Sequence, residues 1–143
     1  DYDKPNSNAN KSSNIKNKLV IGYIGRISED KGIKRILEAL SSDIILEPIH
    51  LLIAGDYNSD YGISLYNKYN INSGKHTIEW MGWLPHDSIE NFYNKIDLAL
   101  LISEWIENGP LTLYESFAYN CPVIINDTPN VKDYVIDNLM DLK

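Results

Sequence analysis

Ser103-Glu-Trp-Ile-Glu-Asn-Gly-Pro-Leu-Thr-Leu-Tyr-Glu-Ser-Phe-Ala-Tyr-Asn-Cys-Pro-Val-Ile-Ile125 is the stretch from which the fold of this chain is read. Leu98 to Ile102, just before it, has the unbroken apolar character of a buried strand. Pro110 to Tyr119 reads as a helix and Pro122 to Ile125 as another strand. Residues 103 to 109 therefore form a loop at a strand's carboxyl end and a helix's amino end, the place where open α/β sheets bind ligands. The helix is apolar nearly all round (Leu111, Leu113, Tyr114, Phe117, Ala118), which predicts burial, yet Glu115 interrupts it. A carboxylate on a buried helix is costly unless something meets its charge or its hydrogen bonds.

Glu107 in the loop and Glu115 on the helix are eight residues apart. At roughly 1.5 Å of helical rise per residue, that spacing suits two grips on one elongated ligand. Between them lie the unpaired N–H groups of the helix amino end, around Leu111 and Thr112. Pro110 fits the first helical position because a donor is not needed there. Two carboxylates that accept sugar hydroxyls, on either side of a helix end that favours anions, suit a ligand that is part sugar and part phosphate. A capped helix with Glu115 in a structural ion pair accounts for the same residues.

Outward from this stretch the chain alternates. Leu19 to Ile24, His50 to Ala54 and Thr77 to Leu84 read as strands. Ile33, Ile36, Leu37 and Leu40 recur at helical spacing, residues 59 to 70 form a weaker helix, and Ile89, Phe92, Tyr93 and Ile96 mark the buried stripe of a helix opened by Pro85. Strands alternating with helices predict right-handed βαβ units and a Rossmann-like parallel sheet with helices on both faces. Val131 to Ile136 suggests the start of a last helix. Residues 1–17, polar and rich in Asn, Ser and Lys, are expected to be a disordered leader or interdomain linker, and residues 18–143 a single domain.

Composition narrows the function. An apolar share of 43% is normal for one domain with a real core. A net charge of −7 argues against general affinity for nucleic acid or anionic membrane. Cys121 is the lone cysteine and reads as a buried structural thiol, and His50, His76 and His86 are too scattered for a metal cluster. No apolar run reaches the length of a membrane span and no signal-peptide core is present, so a cytoplasmic setting is expected, with no integral membrane segment.

A second unusual site follows the first strand. Arg26 stands at its carboxyl end, and Lys31, Lys34 and Arg35 fall in the first turns of the next helix, where cations are normally disfavoured. They make sense if an anion arrives between them, Arg with paired donors and Lys with a point charge. Pairing with Ser28-Glu29-Asp30 in a solvated helix start is the alternative, and it suits Lys34 and Arg35 better than Arg26 and Lys31. Neither the dinucleotide glycine fingerprint nor a phosphate loop of the nucleotide-hydrolase kind occurs here. If the first and fourth strands are neighbours, the basic loop and the two-glutamate loop face one crevice.

Gly25-Arg26 with Lys31-Gly32, Ala54-Gly55-Asp56, Gly82, Glu107 with seven residues before Glu115, and Pro122-Val-Ile124 together resemble a known family. It is the carboxy-terminal, donor-binding domain of retaining glycosyltransferases of the two-domain GT-B fold (glycosyl transferases group 1, family-four type). Order and spacing agree from about Lys18 to Val135. Glu107-Asn-Gly-Pro-Leu111 resembles a Glu-Asn-x-Pro-Leu variant of the family's loop, and Asn120 and Asn130 stand where glycine is common.

The resemblance implies one half of a GT-B fold that binds a nucleotide-sugar donor. By position, Arg26 and Lys31 would hold the diphosphate and stabilise it as leaving group, Glu107 would contact the transferred sugar, and Glu115 would bind the ribose hydroxyls. The backbone of Asn108, Gly109, Pro110, Leu111 and Thr112 would meet the sugar and distal phosphate, and the turn from Gly82 to Leu84 would lie by the nucleobase. The catalytic assignments are thus Glu107, Arg26 and Lys31, with no cofactor and no metal expected because the cationic pair carries the charge. The implied partner is an amino-terminal acceptor domain, without which this half, expected to be truncated at its carboxyl end, is expected to be inactive. A non-catalytic module that holds a nucleotide or sugar phosphate is the competing reading. A flavodoxin-like signalling receiver is disfavoured by Gly25-Arg26 where such a domain needs acidic residues.

Overall fold

The computed structural model describes residues 17–71, 74–104 and 111–127. Five strands, β1 (Leu19–Ile24), β2 (Ile49–Ala54), β3 (Thr77–Gly82), β4 (Leu98–Leu101) and β5 (Val123–Ile125), form one sheet in the order β3-β2-β1-β4-β5. Every pairing is parallel, with Leu19 beside Ile49 and Ile21 beside Leu98 fixing the register on the two sides of β1. Four helices connect them: α1 (Ile33–Ser41), α2 (Asp60–Lys68), α3 (Ile89–Lys95) and α4 (Leu111–Ala118). The alternation expected from the sequence is therefore present. Strand order reverses at β1, so a crevice opens between the loops that follow β1 and β4.

Side-chain alternation along each strand sorts the core into two layers. Ile21 and Tyr23 of β1, Ile49, Leu51 and Ile53 of β2, Ile78 and Leu100 pack with Ile33, Leu37 and Leu40 of α1 and Leu65 of α2. Val20, Leu52, Ala54 and Ala99 face the other way, onto Phe92 and Tyr93 of α3 and Ile96 just after it. Because both faces are covered, β1, β4 and most of β2 are apolar runs, which is why they were readable as strands, whereas β2 also buries His50 and the edge strand β3 carries the exposed Glu79. Cys121 is buried with the second layer, as expected.

Two expectations are corrected. β3 ends at Gly82 rather than Leu84, because Gly82 takes φ 74° and turns the chain out of the sheet. α4 is not buried all round: Leu113 and Ser116 are its buried residues, while Leu111, Tyr114 and Phe117 are 68%, 42% and 38% exposed. Its apolar contact with the sheet, through Leu113, runs along Leu101, Val123 and Ile125, a narrow seam. Of the leader expected at 1–17, residues 1–16 lie outside the described residues, as does the expected last helix at Val131 to Ile136.

Asn120 resolves one departure from the family pattern. It adopts φ 52°, and the helix end closes with Asn120 N–H donating to the Phe117 carbonyl (3.1 Å) and Cys121 N–H donating to the Ser116 carbonyl (2.8 Å). This is a Schellman closure, in which Asn serves where Gly is usual because its short polar side chain tolerates the left-handed region.

Gly22 lets α3 close on β1. A Cβ there would stand 2.7 Å from two carbons of Ile96 and 2.8 Å from the Phe92 ring. Gly22→Ala is expected to push α3 off the sheet and to cost about 1–3 kcal/mol, the usual range for overpacking. Urea unfolding of the full chain measures it, and an unchanged midpoint would contradict this packing.

His50 gives the fold a pH dependence. It is 7% exposed, with Nδ1 2.7 Å from Thr77 Oγ1 and Nε2 3.3 Å from Glu79 Oε2. Burial holds its pKa below the usual 6.5, outweighing the attraction of Glu79, and Lys18 adds to the lowering. The unfolded chain then binds more protons than the native one as pH falls through 6.5 toward the lower folded value. The stability linked to His50 is fully present above that window and lost through it. Unfolding free energies at pH 7.5 and 5.5 should differ less in His50→Gln than in the parent.

Candidate functional site

Three loops at the carboxyl edge of the sheet are tied to one another by backbone hydrogen bonds. Gly25 N–H donates to the Ala54 carbonyl (2.9 Å), and Gly55 N–H donates to the Gly82 carbonyl (2.8 Å). Gly55 permits this approach, since a Cβ would fall 2.0 Å from the Gly25 carbonyl oxygen. The turn after β1 is likewise held to the end of β4. Asp30 C=O accepts from Glu104 N–H (2.8 Å) and from the Ser103 hydroxyl (3.2 Å), and Ser103 is buried. Gly32, at φ 72°, caps α1 so close to β4 that a Cβ would lie 2.2 Å from the Ile102 carbonyl oxygen.

Helix α4 is anchored at its first turn. Thr112 Oγ1 donates to the Ile24 carbonyl at the end of β1 (3.3 Å), and Tyr93 of α3 has its one hydroxyl proton between Glu115 Oε2 (3.2 Å), the nearer acceptor, and the Thr112 carbonyl (3.4 Å). Burial pushes the Tyr93 hydroxyl well above its usual pKa, and the neighbouring charge of Glu115 adds to the rise. Tyr93 therefore stays a neutral donor across the ordinary pH range. Glu115 is half-buried and keeps its other oxygen for a different partner.

These ties enclose a cavity of about 750 Å³. Its wall includes Arg26 and Lys31 from the first turn, and Leu111, Thr112 and Glu115 from α4. The crevice expected from strand order thus gathers the basic turn and the second glutamate. Leu84 also lines it, whereas Gly82 does not and turns the chain with φ 74° just before it. Glu107, Asn108, Gly109 and Pro110 lie outside the described residues.

The cations divide as their surroundings dictate. Lys34 pairs with Glu38 (3.8 Å) and Arg35 with Glu104 (2.8 Å), so both belong to a solvated helix face and neither lines the cavity. The Arg26 guanidinium is 78% exposed and meets Asp30 only at 3.9 Å, a loose pair that an incoming anion can displace. The Asp30 carboxyl is held below its usual range by the Ser28 hydroxyl, so it remains an anion beside Arg26 and Lys31. Among the described residues no group of three His, Cys, Asp or Glu stands together as a metal site. No described helix is long and apolar enough to cross a membrane.

Two residues were not singled out from the sequence. Trp83, 72% exposed and inside the turn from Gly82 to Leu84 expected by the nucleobase, lines the cavity. Tyr93 was counted only as part of an apolar stripe, although its hydroxyl reaches Glu115.

The model of the family described as glycosyl transferases group 1 matches residues 6–140. The chain belongs to that family. It is 29% identical over 142 residues to the lipopolysaccharide 1,2-N-acetylglucosaminetransferase of Salmonella typhimurium, covering 94% of this chain and 37% of the relative. Among solved structures, Anabaena HepE in complex with UDP and glucose superposes with a TM-score of 0.66 at 18% identity, covering 83% of this chain and 32% of HepE. The catalytic domain of the Helicobacter pylori cholesterol-alpha-glucosyltransferase gives 0.59 at 17% identity, over 78% and 66% of the two chains. The five-stranded parallel sheet is the Rossmann-like, carboxy-terminal type of half found in GT-B glycosyltransferases. The chain spans about a third of the length of the first relatives it matches.

The fit of Gly32 against β4 carries a stability prediction. The left-handed conformation alone costs a residue with a β-carbon about 1–2 kcal/mol, and the contact with Ile102 adds to it. Gly32→Ala should therefore lower the unfolding free energy by about 2 kcal/mol or more, measured by urea titration. A variant as stable as the parent would show that the basic turn is not held against β4.

Proposed function

We propose that this chain is the donor-binding half of a retaining glycosyltransferase and that its cavity takes a nucleoside diphosphate sugar. The observation that carries the reading is the set of hydrogen bonds from Ser103 and Glu104, just after β4, to the Asp30 carbonyl and from Thr112 to the end of β1, beside which Arg26, Lys31 and Glu115 line one cavity. Its volume of about 750 Å³ lies within the range of small-molecule sites. The complexes of the structurally similar HepE with UDP and glucose and with UDP-glucose support the ligand class.

In this reading Arg26 and Lys31 grip the diphosphate, and Glu115 accepts hydrogen bonds from the ribose hydroxyls with the oxygen that Tyr93 leaves open. Trp83 and Leu84 flank the base. Glu107 orients the sugar, and the backbone of Asn108 to Thr112 meets the sugar and distal phosphate. As the bond from the anomeric carbon to the diphosphate breaks, negative charge grows on the phosphate oxygens. Fixed cations and the positive end of α4 stabilise that charge where it develops. The sugar leaves for an acceptor hydroxyl presented by an amino-terminal domain, with its anomeric configuration retained. No metal is called for in this scheme, because the cationic pair meets the diphosphate. The lone buried Cys121 and the acidic balance accord with a cytoplasmic location.

Calorimetric titration of the full chain with UDP, GDP and ADP tests the reading. Saturable binding of one nucleotide is expected, undiminished by EDTA. Arg26→Ala should weaken it about 10-fold to 100-fold, since a hydrogen bond to a charged group is worth about 1.5–3 kcal/mol. Failure of all three nucleotides to bind would overturn the proposal. Release of UDP from a UDP-sugar with an acceptor present distinguishes a transferase from a module that only binds.

A further inference from the structure

Tyr93 does not line the cavity; its hydroxyl stands 3.2 Å from Oε2 of Glu115, its nearer acceptor, and 3.4 Å from the Thr112 carbonyl. Tyr93 is 4% exposed, wedged between Phe92 (ring centroids 5.5 Å apart, edge to face) and Tyr119 (5.0 Å, stacked). Its ring position is thus fixed by packing on both sides, and its hydroxyl has little freedom to follow Glu115. Glu115 lines the cavity one turn into α4, and among the described residues no cation forms an ion pair with it.

From this geometry we infer that Tyr93 is a positioning residue: it fixes one oxygen of Glu115 so that the other is presented to the ribose hydroxyls of the donor. The inference rests on the donor-site reading above and adds to it the group that makes Glu115 selective for a ribonucleotide. The physical step is entropic and directional. A half-buried glutamate with three rotatable bonds would have to be ordered by the ligand itself, and a carboxylate free to rotate accepts from hydroxyls, water or neighbouring N–H groups alike. With Oε2 engaged, the remaining oxygen has one orientation. A nucleotide that lacks a ribose hydroxyl then leaves that oxygen unpaired in a partly dehydrated wall, and this is how a site rejects the analogue.

The test compares ribose and deoxyribose forms of the nucleotide that binds, UDP against 2′-deoxy-UDP and 3′-deoxy-UDP if UDP is the one, on the full chain. The parent should prefer the ribonucleotide over at least one deoxy form by about 10-fold. Glu115→Gln should abolish most of that preference. Tyr93→Phe, which keeps the ring and its stacking, should reduce it to about 2-fold or less while leaving the affinity for that deoxy form within about 2-fold of the parent. A merely structural role would weaken both forms equally, so an unchanged ribose-to-deoxyribose ratio in Tyr93→Phe, with UDP still bound, overturns the inference and leaves the donor-site reading standing. Binding of no nucleotide by the parent overturns both. An unfolding midpoint for Tyr93→Phe close to the parent's confirms that the ratio reports on the site.

Discussion

The approach of the first turn to the end of β4 is the constraint on which the rest of the site depends. Asp30 offers one carbonyl to two donors from β4's exit, and Gly32 lets the turn lie against Ile102 where no side chain fits. The strand order makes β1 and β4 neighbours, but neighbouring strands alone leave their loops free to diverge. The hydrogen bonds remove that freedom. They turn two separate loops into facing walls, and the Thr112 bond to Ile24 brings the amino end of α4 onto the same wall. A phosphate-sized group entering there meets cations on one side and a helix end on the other, without either wall having to move far.

Charge at this edge of the sheet is sorted by reach. Arg35 and Lys34 have carboxylates at ordinary ion-pair range and stay on the outer face of α1. Arg26 meets Asp30 only at 3.9 Å and projects largely into solvent, so little is lost when it turns toward an anion. Asp30 keeps the turn from being purely cationic and would otherwise repel a phosphate. Its carboxylate is drawn toward the Ser28 hydroxyl, while its backbone carbonyl is committed to β4. The protein as a whole is acidic, so attraction for an anionic ligand has to be this local.

Much of the fold was legible because parallel strands covered on both faces leave runs such as Leu19 to Ile24 and Ile49 to Ala54, which few other structures produce. The convergence of Arg26, Lys31 and Glu115 followed from strand order. Other features were hidden for identifiable reasons. The apolar residues of α4 suggest burial by composition, yet composition does not tell how wide a seam the sheet offers, and here it offers Leu101, Val123 and Ile125. Trp83 was read as part of a strand that Gly82 ends by adopting φ 74°. Asn120 looked like a departure until its backbone was seen to take the conformation that glycine would. Tyr93 was hidden because periodicity counts a tyrosine as apolar and is blind to where its hydroxyl ends.

That hydroxyl also explains why Glu115 is tolerated where it stands. An arginine or lysine behind the carboxylate would stabilise it more strongly, but it would neutralise the charge and compete for both oxygens, leaving little for a ligand. A structural ion pair of that kind is what the sequence left open for Glu115, and the partner found in its place is a neutral phenol. One neutral donor, kept protonated by its own burial, supplies a single hydrogen bond and withdraws no charge. The carboxylate is half-buried and oriented, with one oxygen held by the phenol. It is affordable in the fold because it lines a cavity and is half-exposed rather than sealed within the core.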